Sequence, residues 1–170
     1  MEGNKIMSRK CLIIIPLLCC LFFSGCGFLY TTSVDDKDKS PWMIARDTLY
    51  SFVECVKAND TESISDMFCE ATPVSAEEID NLLDNIEGEI VSIETNGIHD
   101  GLKQSKDGVY TIYTYAAICT VYTDDGKEYK LSISGVTAWE GIPSRIGLDS
   151  ITLADEQTDE RYGVGLWKIG

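Results

Sequence analysis

Residues 109–139 read VYTIYTYAAICTVYTDDGKEYKLSISGVTAW, and this stretch decides the fold. Up to Thr123 it is dominated by tyrosine, threonine and β-branched residues, which suit a pleated, half-buried surface. Asp125-Gly126 then supplies a hairpin signal. On the return, Tyr129, Leu131 and Ile133 alternate with polar residues, the period of a strand with one buried face. Gly135 interrupts the pattern and marks a bulge or a bend. Two long antiparallel strands are expected, at 109–123 and 128–139.

On the C-terminal side, a loop with Pro143 leads to GLDSITLA (147–154), a further strand. The acidic stretch DEQTDER (155–161) reads as a surface loop, and the tail YGVGLWKI (162–169) as a candidate edge strand. On the N-terminal side, EIVSIET (89–95) reads as a strand, and the Gly- and charge-rich residues 96–108 read as a loop. Earlier still, the period changes. Ser40 is a candidate N-cap with Pro41 in the first turn, followed by Ala45, Leu49, Phe52 and Val56 at helical spacing. Asn59-Asp60 ends this helix and caps a short second one carrying Ile64, Met67 and Phe68, which Pro73 closes. Ser75 and Glu78 form a capping box for a third helix with Ile79, Leu82, Leu83 and Ile86, and Gly88 as its C-cap. The expected class is α+β: about three N-terminal helices packed on a curved antiparallel sheet of four to five strands.

The N-terminus has its own logic. Cys11 to Phe23 is a run of thirteen apolar residues containing Pro16, shorter than the roughly 20 a spanning helix needs. Lys5, Arg9 and Lys10 precede it and small residues follow, the layout of a secretory signal. Met7 is a possible alternative start. Phe23-Ser24-Gly25-Cys26 resembles the bacterial lipobox, in which a diacylglyceryl group is attached to the cysteine sulfur and the chain is cut just before it. The expected organisation is a lipoprotein signal at 1–25, lipidated Cys26 with a polar tether to residue 40, and one α+β domain at 41–170. Two acyl chains hold a protein stably at a bilayer, so the expected location is the outer face of the cell membrane, with the membrane as a partner through Cys26.

Composition narrows the function. The chain carries 28 acidic and 14 basic residues. Residues 1–25 hold three basic and one acidic of these, so the remainder has 11 basic against 27 acidic. Such a body is a poor binder of nucleic acid or anionic lipid by charge alone. Of seven cysteines, Cys11, Cys19 and Cys20 fall in the leader and Cys26 in the lipobox. Cys55, Cys69 and Cys119 remain, an odd number that makes no disulfide framework. Cys55 and Cys69 could pair in an oxidising setting, but all three read best as small buried apolar groups. No CxxC or Cys/His cluster suggests zinc, and no cofactor motif is apparent.

With these stretches in view, the chain resembles a family of small uncharacterised lipoproteins of Gram-positive bacteria, a domain of unknown function with a nuclear-transport-factor-2-like (cystatin-like) cone fold. The lipobox, the helix at 42–58, IEGEIVSIE (86–94) and IGLDSITL (146–153) carry the resemblance. It spans most of residues 40–155. It implies a cone of helices and bent sheet, and it brings no catalytic residues.

Candidate chemistry is thin. His99, the single histidine, lies beside Asp100 in NGIHDG. A His/Asp pair can do acid–base work, yet these surroundings read as a solvated loop with no nucleophile nearby. Asp124-Asp125-Gly126 lacks the alternating oxygens and distal Glu of a calcium loop, so the turn is the better account. The acids Glu77, Glu78, Asp80, Asp84 and Glu87 read as a solvated helix face. The candidate pocket residues are aromatic: Trp42 opening the first helix, Tyr113 and Tyr115 on one face of the long strand, and Trp139 ending the next. They could line a pocket bounded by helix and sheet, or simply form the core. The expected function is a non-enzymatic, lipid-anchored extracytoplasmic domain that binds a small ligand or a cell-envelope partner. The alternatives are a cone-fold hydrolase or isomerase using Asp or Glu in the pocket, and a structural accessory subunit.

Overall fold

The structure is a computed structural model, and it describes residues 39–166. The leader, Cys26 and most of the tether lie outside the described residues, as do residues 167–170. The described residues belong to one unit, Thr32–Gly170.

Helix α1 spans Pro41–Ala58. Ser40 caps it, its hydroxyl accepting from the Met43 amide, and Pro41 occupies the first turn, where a missing N–H costs nothing. The buried stripe is Ala45, Leu49, Phe52, Val53 and Val56. Asn59 stops the helix in the left-handed region at φ 52°, a conformation asparagine tolerates. Asp60 then caps α2 (Thr61–Asp66), and Ser75 caps α3 (Ala76–Leu83) through a complete capping box with Glu78. Gly88 is not the immediate C-cap of α3. The helix ends at Leu83, a turn follows, and Gly88 with φ 85° instead redirects the chain into the sheet.

Five strands form one antiparallel meander in the order β1-β2-β3-β4-β5. They are β1 (Ile90–Lys106), β2 (Val109–Thr123), β3 (Glu128–Trp139), β4 (Gly147–Asp155) and β5 (Arg161–Gly165). A short 3-10 turn, Pro143–Arg145, sits between β3 and β4. The chain is therefore α+β, with three helices and a five-stranded open antiparallel sheet among the described residues. The apolar tail does supply an edge strand, β5, paired with β4.

One expectation fails. Residues 96–108 are not a loop: β1 continues to Lys106 and pairs with β2 down to Lys106 opposite Val109. The turn is Asp107-Gly108, with φ 53° and 77°, the two positive values a tight hairpin needs. Register shifts between Thr95 and Ile98 and between Asp100 and Lys103 absorb the extra residues around Gly97 and Gly101.

Residues directly opposite in an antiparallel pair share a face. Tyr113, Tyr115, Ala117, Cys119 and Val121 on β2 therefore join Tyr129, Leu131 and Ile133 on β3, and Leu148, Ile151 and Leu153 on β4, facing the helices. This side and the stripes of the helices make one core. The other side carries Ala116, Ser132, Ser134 and Thr152, small or hydroxyl-bearing residues. Cys55, Cys69 and Cys119 are free thiols; the last two are buried and Cys55 is half-buried.

Candidate functional site

The four aromatic candidates occupy different surroundings. Tyr113 and Tyr115 point to the helix side and are 1% and 3% exposed, both within the core. Trp42 is 47% exposed, with the Arg46 guanidinium 5.4 Å from its ring centroid. Trp139 is half-buried and stands opposite Ile112, one position out of phase with Tyr113, so the register puts it on the far side of the sheet. The two tyrosines come together; Trp42 and Trp139 are placed apart from them.

Sequence reasoning missed the polar cluster around Tyr113. The extended β1 brings Lys103 opposite Tyr113 and Asp100 opposite Tyr115. The Tyr113 hydroxyl donates to the Asp100 carboxylate, which also pairs with the Lys103 ammonium. Lys103 lies 5.0 Å from the Tyr113 ring centroid, and Tyr110 meets that ring edge-on at 5.7 Å. Hydrogen bonds from Lys103 and Tyr113 hold Asp100 below the ordinary carboxylate range. Burial, and then the Asp100 charge, push the Tyr113 phenol well above its usual value. The phenol therefore stays a hydrogen-bond donor across the physiological range, and Asp100 stays an ionised acceptor. Such a group positions and holds. A general acid–base pair works best with values near the operating pH, and both groups are displaced away from it.

The thiols are similarly quiet. Burial pushes Cys119 up to about 11, and burial followed by the charges of Asp60 and Glu54 raises Cys55. A thiol nucleophile needs the thiolate, so neither is poised for covalent chemistry at neutral pH.

On the far side of the sheet, His99, Ala116, Ser134 and Ser150 form one row across β1 to β4. The Ser134 hydroxyl bonds to the Asp149 carboxylate and lies 2.6 Å from the Ser150 hydroxyl. His99 is exposed and two strands away, about 10 Å of backbone separation. The hydroxyl thus meets a carboxylate directly, without the imidazole that would take its proton in a nucleophilic triad. Asp124 and Asp125 serve the β2–β3 turn: Asp124 accepts from the Glu89 amide at 2.8 Å, and Asp125 accepts from the Thr123 hydroxyl at 2.5 Å. Among the described residues, no group of three or more His, Cys, Asp or Glu is arranged to hold a metal ion.

A shallow cleft of about 160 Å³ lies where α1 ends and β1 begins. Val56, Leu83, Ile86 and Ile90 give it apolar walls, and Asn59 and Asp84 give it polar ones. Pockets for drug-sized ligands run to about 300–1,000 Å³, so this one suits a fragment or a single side chain.

With the geometry in place, comparison decides the family. Residues 51–156 match the family model of a domain of unknown function, DUF5104. The chain belongs to the DUF5104 family. Among curated proteins, none matches it. The DUF5104 match runs from the middle of α1 through β4 and so covers Tyr113, Tyr115, Trp139, the Asp100–Lys103 cluster and the cleft; Trp42 and β5 lie beyond it.

Proposed function

We propose that this DUF5104 protein is a lipid-anchored, extracytoplasmic interaction domain without catalytic activity. The anchor is the diacylglyceryl group on Cys26, reached after removal of residues 1–25. The short apolar run, its basic flank and the Ser-Gly-Cys stop support that reading. It places the protein at the outer face of the cell membrane, as expected for a Gram-positive lipoprotein. Among the described residues no helix is long and apolar enough to cross a membrane.

The domain itself is read as a cone of the nuclear-transport-factor-2-like kind. The register shifts along β1 and at Gly135 support a bent sheet, since bulges are how long strands curve. The observation that carries the interaction reading is the filling of the helix side of that sheet. Tyr113, Tyr115 and Tyr129, each 1–3% exposed, occupy it together with aliphatic neighbours. Recognition then falls to the outer surface, where a cell-envelope protein or a small fragment at the α1–β1 cleft would dock.

The test is a thermal-shift screen of the intact protein against metabolites, envelope fragments and divalent cations. A ligand present at a hundred times its dissociation constant adds about 2.7 kcal/mol. The expected result is a flat panel, or at most a shift with small apolar fragments that a Leu83→Trp filling of the cleft abolishes. A large shift with a polar metabolite, insensitive to that substitution, would contradict a surface-acting domain.

A further inference from the structure

We propose that the cleft between the end of α1 and the start of β1 receives a basic peptide segment, with one aliphatic side chain inserted and lysine or arginine on either side of it. This rests on the reading of the domain as one that acts through its surface, and it names the chemistry of the partner.

Three pieces of chain build the cleft. Val56 and Asn59 close α1, Leu83, Asp84 and Ile86 come from the end of α3 and the turn after it, and Gly88 and Ile90 lead into β1. Val56 is buried, but Leu83, Ile86 and Ile90 are only half-buried, so aliphatic walls stay in contact with water. Val91, the next residue along, is 62% exposed. None of the lining residues is aromatic, whereas a quaternary ammonium group is held by aromatic faces. The walls suit an aliphatic side chain instead. Three hydrogen bonds fix the wall at 87–90. The Glu87 amide donates to the Tyr129 hydroxyl at 3.0 Å, the Glu89 amide to the Asp124 carboxylate at 2.8 Å, and the Asp124 amide to the Glu89 carbonyl at 2.9 Å. A wall set in advance lowers the ordering cost of binding.

Charge selects the occupant. Within three positions of a lining residue, the sequence carries Glu54, Asp60, Glu62, Asp80, Asp84, Glu87 and Glu89 against a single cation, Lys57. The β2–β3 turn adds Asp124, Asp125 and Lys127. Its two carboxylates reach the cleft wall: a Cβ on Gly88 would lie 2.8 Å from Asp124 Oδ1 and 3.1 Å from Asp125 Oδ1. Both lysines are already taken, Lys57 by Glu54 at 2.9 Å and Lys127 by Glu87. Asp84 and Glu89 are exposed and make no ion pair among the described residues. The rim therefore repels anionic polymers and headgroups and draws cations. A basic peptide with one aliphatic residue meets both demands at once, the side chain filling the cleft and the flanking cations facing the rim.

The probe is a fluorescently labelled, capped peptide with one leucine between two pairs of lysines, titrated into the purified, intact protein and read by anisotropy. Saturable binding is expected. It should weaken about tenfold or more with glycine in place of the peptide's leucine, and likewise with Leu83→Trp, since each removes the burial of one aliphatic side chain. It should weaken too with the paired exposed substitutions Asp84→Lys and Glu89→Lys, and as salt rises and screens the rim. No saturable binding, binding that Leu83→Trp leaves unchanged, or equal binding of a peptide with glutamates for its lysines overturns the proposal. Displacement of the peptide by an equal concentration of hexylamine also overturns it, the occupant then being a small amphiphilic cation. Each of these results leaves the surface-acting reading standing; that reading falls to a large thermal shift with a polar metabolite. Should Leu83→Trp not melt cooperatively, the charge-reversed pair decides: a wild-type melt with unchanged peptide affinity overturns the proposal.

Discussion

Gly135 shows how a single residue admits a close backbone approach. A Cβ placed on it would lie 2.5 Å from the Gly147 carbonyl oxygen and 3.0 Å from the Tyr115 hydroxyl. The strand shifts register here, between Ser134 and Gly135, so β4 and the Tyr115 side chain both close on the same point. Gly135→Ala should therefore destabilise the fold by about 1–3 kcal/mol, the usual cost of overpacking, as read by urea denaturation. An unchanged midpoint would mean that β3 and β4 do not meet at this residue. The sequence placed a bulge or bend at Gly135, because a lone glycine in a strand pattern calls for one. It did not announce Tyr115 as the neighbour, since that contact depends on pairing 20 residues apart.

At the scale of elements, β1 is the informative case. Residues 96–108 contain three glycines, polar residues and few strand formers, so local propensity argued for a loop. Pairing with β2 overrides it, because β2 is a strong strand over its whole length and offers a partner edge as far as Val109. The missed signal was Asp107-Gly108, a hairpin dipeptide directly before that strand. The second such pair, Asp125-Gly126, was legible because strand-like sequence flanks it on both sides. Native-state amide exchange checks the difference. Hydrogen-bonded amides within 98–106 should be protected like those of a fraying hairpin, slower than free peptide but faster than β3. Exchange at the free-peptide rate throughout would restore the loop. The helices were easier to read, since their caps and 3.6-residue periods are local. The exception is the end of α3, which stops at Leu83, ahead of the glycine that signals a C-cap, because Gly88 serves the turn into β1.

For the whole molecule, charge sets a pH window. Asp100 is held low by hydrogen bonds from Lys103 and Tyr113, and Asp155 by the amides of Gln157 and Thr158 against an opposing contribution from burial. Asp47 is held low too: burial opposes this, but Arg46 and Lys39 outweigh it. A carboxylate lowered in the folded state adds stability above its unfolded value, near 4, and that stability is lost as pH falls through the folded value. Burial raises the Tyr113 and Tyr129 phenols, so their contribution is present below the unfolded value, near 10, and is lost as pH climbs beyond it. Melting temperature should hold a plateau between these limits and fall on both sides; a maximum near the sequence pI of 4.3 would contradict it. At this scale the sequence made the α+β class legible, since local periods specify helices and strands. The Tyr113–Asp100–Lys103 cluster was not legible, because three residues on two strands meet only once the register is set. Whether a lipid on Cys26 holds this domain at the membrane is read from the intact mass of the native protein extracted from membranes. The expected species is a chain beginning at Cys26, lacking residues 1–25 and heavier by a diacylglyceryl group, with the Cys26→Ser protein absent from the membrane fraction. An unmodified mass that retains residues 1–25, with Cys26→Ser still bound to membranes, would contradict it.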